Sequence, residues 1–197
     1  MQTEITVQVF NPKQEIEAIL REKEFEVTET YTMHDWYFSK HSWRKIQRLT
    51  YPKLLQRSFL VRSICGQQQK HYITYKNKMC DKKGNCLQEE KINVCVDDAE
   101  KAVTIFQKAQ CTLWAEVKNV TTVYKKEHIC FALQDIDGLG VFLEFEESED
   151  MKHMSVLEKI RILSLQAQNL GLTLGNDYFC KKPYLLLHNL LLHKKAR

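Results

Sequence analysis

Polar and apolar residues alternate along this chain in short runs, and most of those runs have the period of two that marks a β-strand with one buried face. Residues 4–10 set Ile5, Val7 and Val9 on one side and Glu4, Thr6 and Gln8 on the other. The stretch 25–38 is rich in β-formers, and 58–64 and 71–77 read as two strands joined by a glutamine-rich turn around Gly66. Lys82, Lys83, Gly84 and Asn85 mark another turn, followed by a strand over 89–96. Three further strands are predicted over 113–124, 128–136 and 141–147.

Helical spacing appears between these runs. Asn11 and Pro12 have the character of an N-cap and first helical position, with Ile16, Ile19, Leu20 and Lys23 along one face. Asp98 is placed to cap a helix carrying Ala99, Ala102, Val103 and Phe106. Ser155 and Glu158 form a capping-box pattern ahead of Leu157, Ile160 and Leu163, and Gly171 stands where that helix should stop. Pro183 opens a last helix, while the basic stretch 40–57 reads as an irregular excursion or a short helix. The expected fold class is α+β: a closed or nearly closed antiparallel barrel of about eight strands with helices packed outside. One domain is expected over 1–197, with 155–197 as its C-terminal helices.

Several strands have one apolar and one charged face. Tyr72, Thr74 and Lys76 oppose Ile73 and Tyr75; Glu89, Lys91, Asn93 and Cys95 oppose Ile92, Val94 and Val96; Phe142, Glu144 and Glu146 oppose Val141, Leu143 and Phe145. A half-polar antiparallel sheet usually turns its polar face to water. Here the predicted helices need the apolar faces to pack on, so the charged faces are left to look at one another across a lumen. A barrel lined with both acids and bases is costly to desolvate. A polyanion bridged by a metal ion would compensate it, the acids holding the metal and the bases the phosphates.

Composition narrows the partners. With 44% hydrophobic and 27% charged residues the chain has the make-up of a soluble globular protein. A net charge of +4 admits an anionic ligand without the concentrated basic stripe that nucleic-acid binding needs. Recognition of an RNA end through 40–57, with its Trp43 and Tyr51, is the minor reading, and a solvated loop accounts for that stretch equally well. Glu4 follows Met1 with no apolar run behind it, and the most apolar stretch, 184–192, is broken by His188 and Asn189. A cytoplasmic protein without membrane attachment is therefore expected. The 7 cysteines lack a C-x-x-C pair and are expected as free, mostly half-buried thiols rather than zinc ligands.

The run Asp135-Ile136-Asp137-Gly138-Leu139-Gly140-Val141-Phe142-Leu143-Glu144-Phe145-Glu146 resembles the D-x-v-x-G-L-G-x-F-x-E-x-E signature of the CYTH (triphosphate tunnel) superfamily. Weaker matches fall in the family's order: Asp35-Trp36-Tyr37-Phe38, Val61-Arg62, Thr74-Tyr75-Lys76, Glu89-Glu90, and Pro183-Tyr184 with Leu186-Leu187. That superfamily includes class IV adenylate cyclases, thiamine triphosphatases and inorganic triphosphatases. The resemblance implies Glu4, Glu144 and Glu146 as ligands of Mg²⁺ or Mn²⁺, and Arg62, Lys76, Lys91 and Lys118 as phosphate contacts. It implies Glu4 and Lys76 as catalytic residues. The implied partner is a triphosphate-bearing small molecule or nucleotide, and a homodimer is compatible with it. The family's first strand reads E-x-E-x-K, where this chain has Glu4, Thr6 and Gln8, and its K-x-R strand is represented by Asn119 and Thr121 with Lys118 out of register. The resemblance thus implies either a metal-dependent cyclase or triphosphatase, or a weak or inactive tunnel that binds nucleotide, polyphosphate or a protein partner.

Overall fold

Eight strands form where the alternation places them: Glu4–Val9 (β1), Glu26–Ser39 (β2), Arg57–Cys65 (β3), Gln69–Cys80 (β4), Cys86–Val96 (β5), Thr112–Lys126 (β6), Ile129–Ile136 (β7) and Gly140–Glu146 (β8). The computed structural model describes residues 2–82 and 84–195; Lys83 of the predicted turn and the Tyr51 side chain lie outside the described portion. All eight strands join one antiparallel sheet in the order β1-β8-β7-β6-β2-β3-β4-β5. The sheet curls until its two edge strands meet at one end, where Gln2 and Glu89 exchange backbone hydrogen bonds of 2.9 Å. Along the rest of the seam, residues 173–180 run beside β1. The Thr6 N–H donates to the Tyr178 carbonyl at 2.9 Å, the Cys180 N–H to Thr6 at 3.0 Å, and the Gly175 N–H to Gln8 at 2.9 Å. This strap satisfies the free edge of β1, which would otherwise offer unpaired backbone groups.

The helices sit outside the curl. Lys13–Glu22 (α1) and Val156–Asn169 (α5) bury Ile16, Leu20, Leu163 and Ala167 against the outward residues of β1 and β8, among them Ile5, Val7, Leu143 and Phe145. Each of the leucine, isoleucine, valine and phenylalanine side chains removed from water contributes about 1.5–3 kcal/mol. The capping box of α5 forms as the sequence predicts, and Gly171 ends that helix region with a φ of +75°. The N-cap of α1 is Pro12 rather than Asn11, whose carboxamide instead accepts from the Thr173 N–H at 2.5 Å and so ties the start of the strap to α1. Ala99–Lys108 (α4), capped by Asp98, stacks Phe106 on Phe38 and Phe59. It leaves the outer face of β5 uncovered, so Ile92 and Val94 remain more than half exposed.

Residues 40–57 take the helical alternative that the sequence allows. They form two short helices, Trp43–Ile46 (α2) and Tyr51–Leu55 (α3), whose Ile46, Leu54 and Leu55 are buried with Tyr37, Leu60, Val117, Phe142 and, from Lys182–Lys195 (α6), Leu187. Trp43 packs against this cluster. The lumen is therefore apolar at one end and charged at the other. Of the described cysteines, Cys65, Cys95 and Cys130 are exposed and Cys180 is buried, so the half-buried expectation holds for Cys80 and Cys111. No helix among the described residues is long and apolar enough to cross a membrane.

Candidate functional site

The β7–β8 turn sets the register of the acidic strand. Gly138 and Gly140 take φ values of +76° and +86°, a region that disfavours residues with a Cβ. The hairpin they close turns Glu144 and Glu146 inward while Leu143 and Phe145 pack outward. Glu4 and Thr6 on β1 pair with Glu146 and Glu144 respectively. As a result one carboxylate oxygen from each of Glu4, Glu144 and Glu146 lies within 4.8 Å of the others. The three residues line a cavity of about 160 Å³ inside the curl, shared with Arg62, Lys76, Lys78, Lys91, Lys181 and Lys182.

These charges are paired in an ordered way. Asp35 on β2 faces Arg62 on β3 and takes a bidentate bond from it, Nε to Oδ1 at 2.7 Å and Nη2 to Oδ2 at 2.6 Å. The third guanidinium nitrogen makes no bond to Asp35. Burial alone would lower the Arg62 pKa, but the Asp35 carboxylate raises it instead. Lys91 reaches Glu146 at 3.2 Å, Glu4 at 3.3 Å and Glu89 at 3.4 Å. Glu89 also meets Lys76 at 3.1 Å and Lys78 in closer contact. Burial pushes the Glu4 carboxyl upward, yet Lys91, Lys181, Lys78 and Lys76 together hold it well below the usual carboxylate range.

Oxygen ligands clustered in this way suit a hard cation such as Mg²⁺ or Mn²⁺, which keeps waters and shares substrate oxygens. The donor set at Glu4, Glu144 and Glu146 therefore fits the metal that the sequence implies. Arg62, Lys76 and Lys91 line the same cavity as these acids. Lys118 does not: it is exposed on the outer face of β6, while Val117 and Asn119 on either side of it line the cavity. Gln8 also falls outside, because its Nε2 donates to the Leu139 carbonyl at 3.2 Å, below the charged zone. In the other direction the inward register of β1 continues to Gln2, whose amide donates to Glu146 at 2.8 Å.

The cavity residues that the sequence reading does not single out include Lys78, Gln134, Lys181 and Lys182. Lys78 extends the polar register of β4 by one step beyond Lys76 and was legible from that alternation. Lys181 and Lys182 had no such signal. The strap carries them across the seam, so that Lys181 stands 3.8 Å from Glu4 and Lys182 reaches Glu144 at 2.5 Å.

Glu89 gives the site an acid-sensitive support. Burial alone would raise its carboxyl, but Lys76, then Lys78 and Lys91, bring it from 4.5 down to about 2. A folded pKa below the unfolded one contributes stability that is present above about pH 4.5 and lost as the pH falls towards 2. For this buried group the contribution is on the order of 3 kcal/mol. Thermal melts of the wild type and Glu89→Gln are expected to differ most at neutral pH and to converge between pH 4.5 and 2. A gap independent of pH would remove Glu89 from this role.

A family profile described as CYTH domain matches residues 2–177. The chain belongs to the CYTH domain family. Within that family it is 32% identical over 120 residues to a protein of Methanocaldococcus jannaschii named "Putative adenylate cyclase", a match that covers 60% of this chain and 65% of the relative, just under two thirds of its length. Its fold is similar to that of the PH1012 protein of Pyrococcus horikoshii, with a TM-score of 0.70, 22% identity, and coverage of 95% of this chain and 99% of that one. It is also similar to a Hippeastrum protein whose structure is described as a "putative adenylyl cyclase" that "reveals a dominant" triphosphatase activity, with a TM-score of 0.61 at 14% identity and 96% coverage of both chains. The CYTH fold thus accounts for the curled sheet and its outer helices.

Proposed function

We propose that this CYTH protein binds a triphosphate-bearing substrate in its lumen and processes it with a divalent cation. The observation that carries this reading is the placement of three clustered carboxylates and several lysine and arginine heads in one cavity. Glu4, Glu144 and Glu146 would hold Mg²⁺ or Mn²⁺, and Arg62, Lys76, Lys91 and Lys182 would take the phosphate oxygens. When bound, such a cation polarises phosphoryl oxygens and offsets their charge.

The chain's own residues supply positioning and electrostatics. Asp35 fixes the plane of the Arg62 guanidinium, so that its remaining amine edge is presented without further ordering cost. Glu89 holds the ammonium groups of Lys76 and Lys91 in the same way. Preorganised cations of this kind stabilise the charge that develops on a phosphoryl group in transfer. The acceptor is water, giving phosphate, or a hydroxyl of the substrate itself, giving a cyclic nucleotide and pyrophosphate. The names of the M. jannaschii and Hippeastrum proteins favour these two outcomes over other chemistry.

A second reading is supported by Thr6. It stands opposite Glu144 on the inward face of β1 and adds no charge there, which fits a tunnel that binds but turns over slowly or not at all. One screen separates the two. Phosphate, pyrophosphate and cyclic-nucleotide release are measured with ATP, GTP, thiamine triphosphate and tripolyphosphate, each with Mg²⁺ and with Mn²⁺. Release from at least one substrate, dependent on metal, is expected. Binding by calorimetry without any release would select the non-catalytic tunnel, and neither binding nor release would end the triphosphate reading.

A further inference from the structure

We propose that Lys182 serves two partners in turn: it holds Glu144 in the unliganded protein, and it gives that carboxylate up to the divalent cation when a phosphate chain draws its ammonium away. The proposal rests on the triphosphate reading above and concerns the order in which that site fills.

The Lys182 ammonium lies 2.5 Å from Glu144 Oε2 and also donates to the Gln134 side-chain carbonyl. Gln134 in turn donates its amide to Glu144 Oε1 at 3.4 Å. Both oxygens of Glu144 are thus engaged. An oxygen held by an ammonium at contact distance cannot serve a metal ion equally well, because the two positive charges would repel across one carboxylate. Unliganded Glu144 is therefore a poor metal ligand until Lys182 moves.

Lys182 is better suited to move than Lys91. Lys91 touches Glu4, Glu146 and Glu89, so losing one leaves it held by two. Among the described residues Lys182 has a single carboxylate partner, Glu144. It is also the first residue of α6, where the helix dipole disfavours a cation and favours an anion. The resting ion pair offsets that, and an arriving phosphate would do so again. Because α6 is already anchored by Leu187 in the core, the ion pair is not needed to hold the helix in place.

The test uses isothermal calorimetry on the full chain, with Mn²⁺ alone and with tripolyphosphate in the presence of a chelator. Lys182→Met is expected to bind Mn²⁺ about tenfold more tightly than wild type and metal-free tripolyphosphate about tenfold more weakly. Glu144→Gln is expected to reverse both signs, because it removes the metal ligand and frees Lys182. Lys78→Met, which removes a lumen charge paired with Glu89 rather than with Glu144, should strengthen Mn²⁺ binding much less. Melting temperatures of all variants identify any that fail to fold, and the reciprocal pair keeps the test intact if one does. Unchanged Mn²⁺ affinity in folded Lys182→Met, or an equal gain in Lys78→Met, overturns the exchange. Wild type binding neither ligand would instead overturn the triphosphate reading itself.

Discussion

Arg62→Ala is expected to lower stability by about 3–5 kcal/mol, the cost of leaving one partner of a buried ion pair uncompensated. The partner left behind is Asp35, which is 2% exposed and takes both of its bonds from Arg62. For a chain of this size that corresponds to a fall of roughly 6–20 °C in melting temperature. Arg62→Lys should fall between the two proteins, because an ammonium keeps the charge but not the fork that matches the carboxylate. Adding Asp35→Asn to Arg62→Ala should recover part of the loss, since the stranded charge is then gone. A small effect of Arg62→Ala, or no recovery in the double variant, would mean that water reaches Asp35 freely. Triphosphate affinity should fall in every one of these variants, because the guanidinium edge facing the cavity is lost or disordered.

Glu4→Gln should leave the fold in place and remove metal-dependent activity. The substitution keeps the shape of the side chain, and the carboxylate it replaces sits among Lys91, Lys181 and the two other acids. Losing one charged ligand contact, on the order of 3 kcal/mol, is expected to weaken Mn²⁺ binding and turnover by about 100-fold. Manganese titration followed by product release measures both. Turnover within a few-fold of wild type would take Glu4 out of the metal site and leave Glu144 and Glu146 to act without it.

The strands and their inward faces were legible because a period of two has one meaning once helices claim the other face. Glu144 and Glu146 are the clearest case: the paired glycines of the β7–β8 turn leave the hairpin little freedom of register. Lys118 shows the limit of the same rule. A shift by one residue turns a side chain through the wall, and on β6 it is Asn119 and Thr121 that are buried while Lys118 is exposed. Gln8 shows another limit, since alternation gives the face of a strand but not the depth at which the lumen changes from charged to apolar. Residues 40–57 form the short helices that the sequence allows, but their depth is not legible from composition, because lysines and arginines outnumber the Ile46, Leu54 and Leu55 that decide where the segment packs. Lys181 and Lys182 were hidden for a topological reason. They reach Glu4 and Glu144 by hydrogen bonding of a distant segment to the edge of β1, and no local pattern encodes that.

The strap has a consequence for how such a tunnel can change over generations. The acids of the proposed metal site are built into the sheet, where each strand is gripped by its neighbours and a shifted residue disturbs two hairpins. The cations at positions 181 and 182 arrive instead on a segment that rests against one strand edge. Its length and sequence can drift with little effect on the sheet's own pairing. Anion affinity can therefore be retuned by mutation while the acidic wall stays as it is, and a tunnel with little charge on its first strand can gain it from the tail.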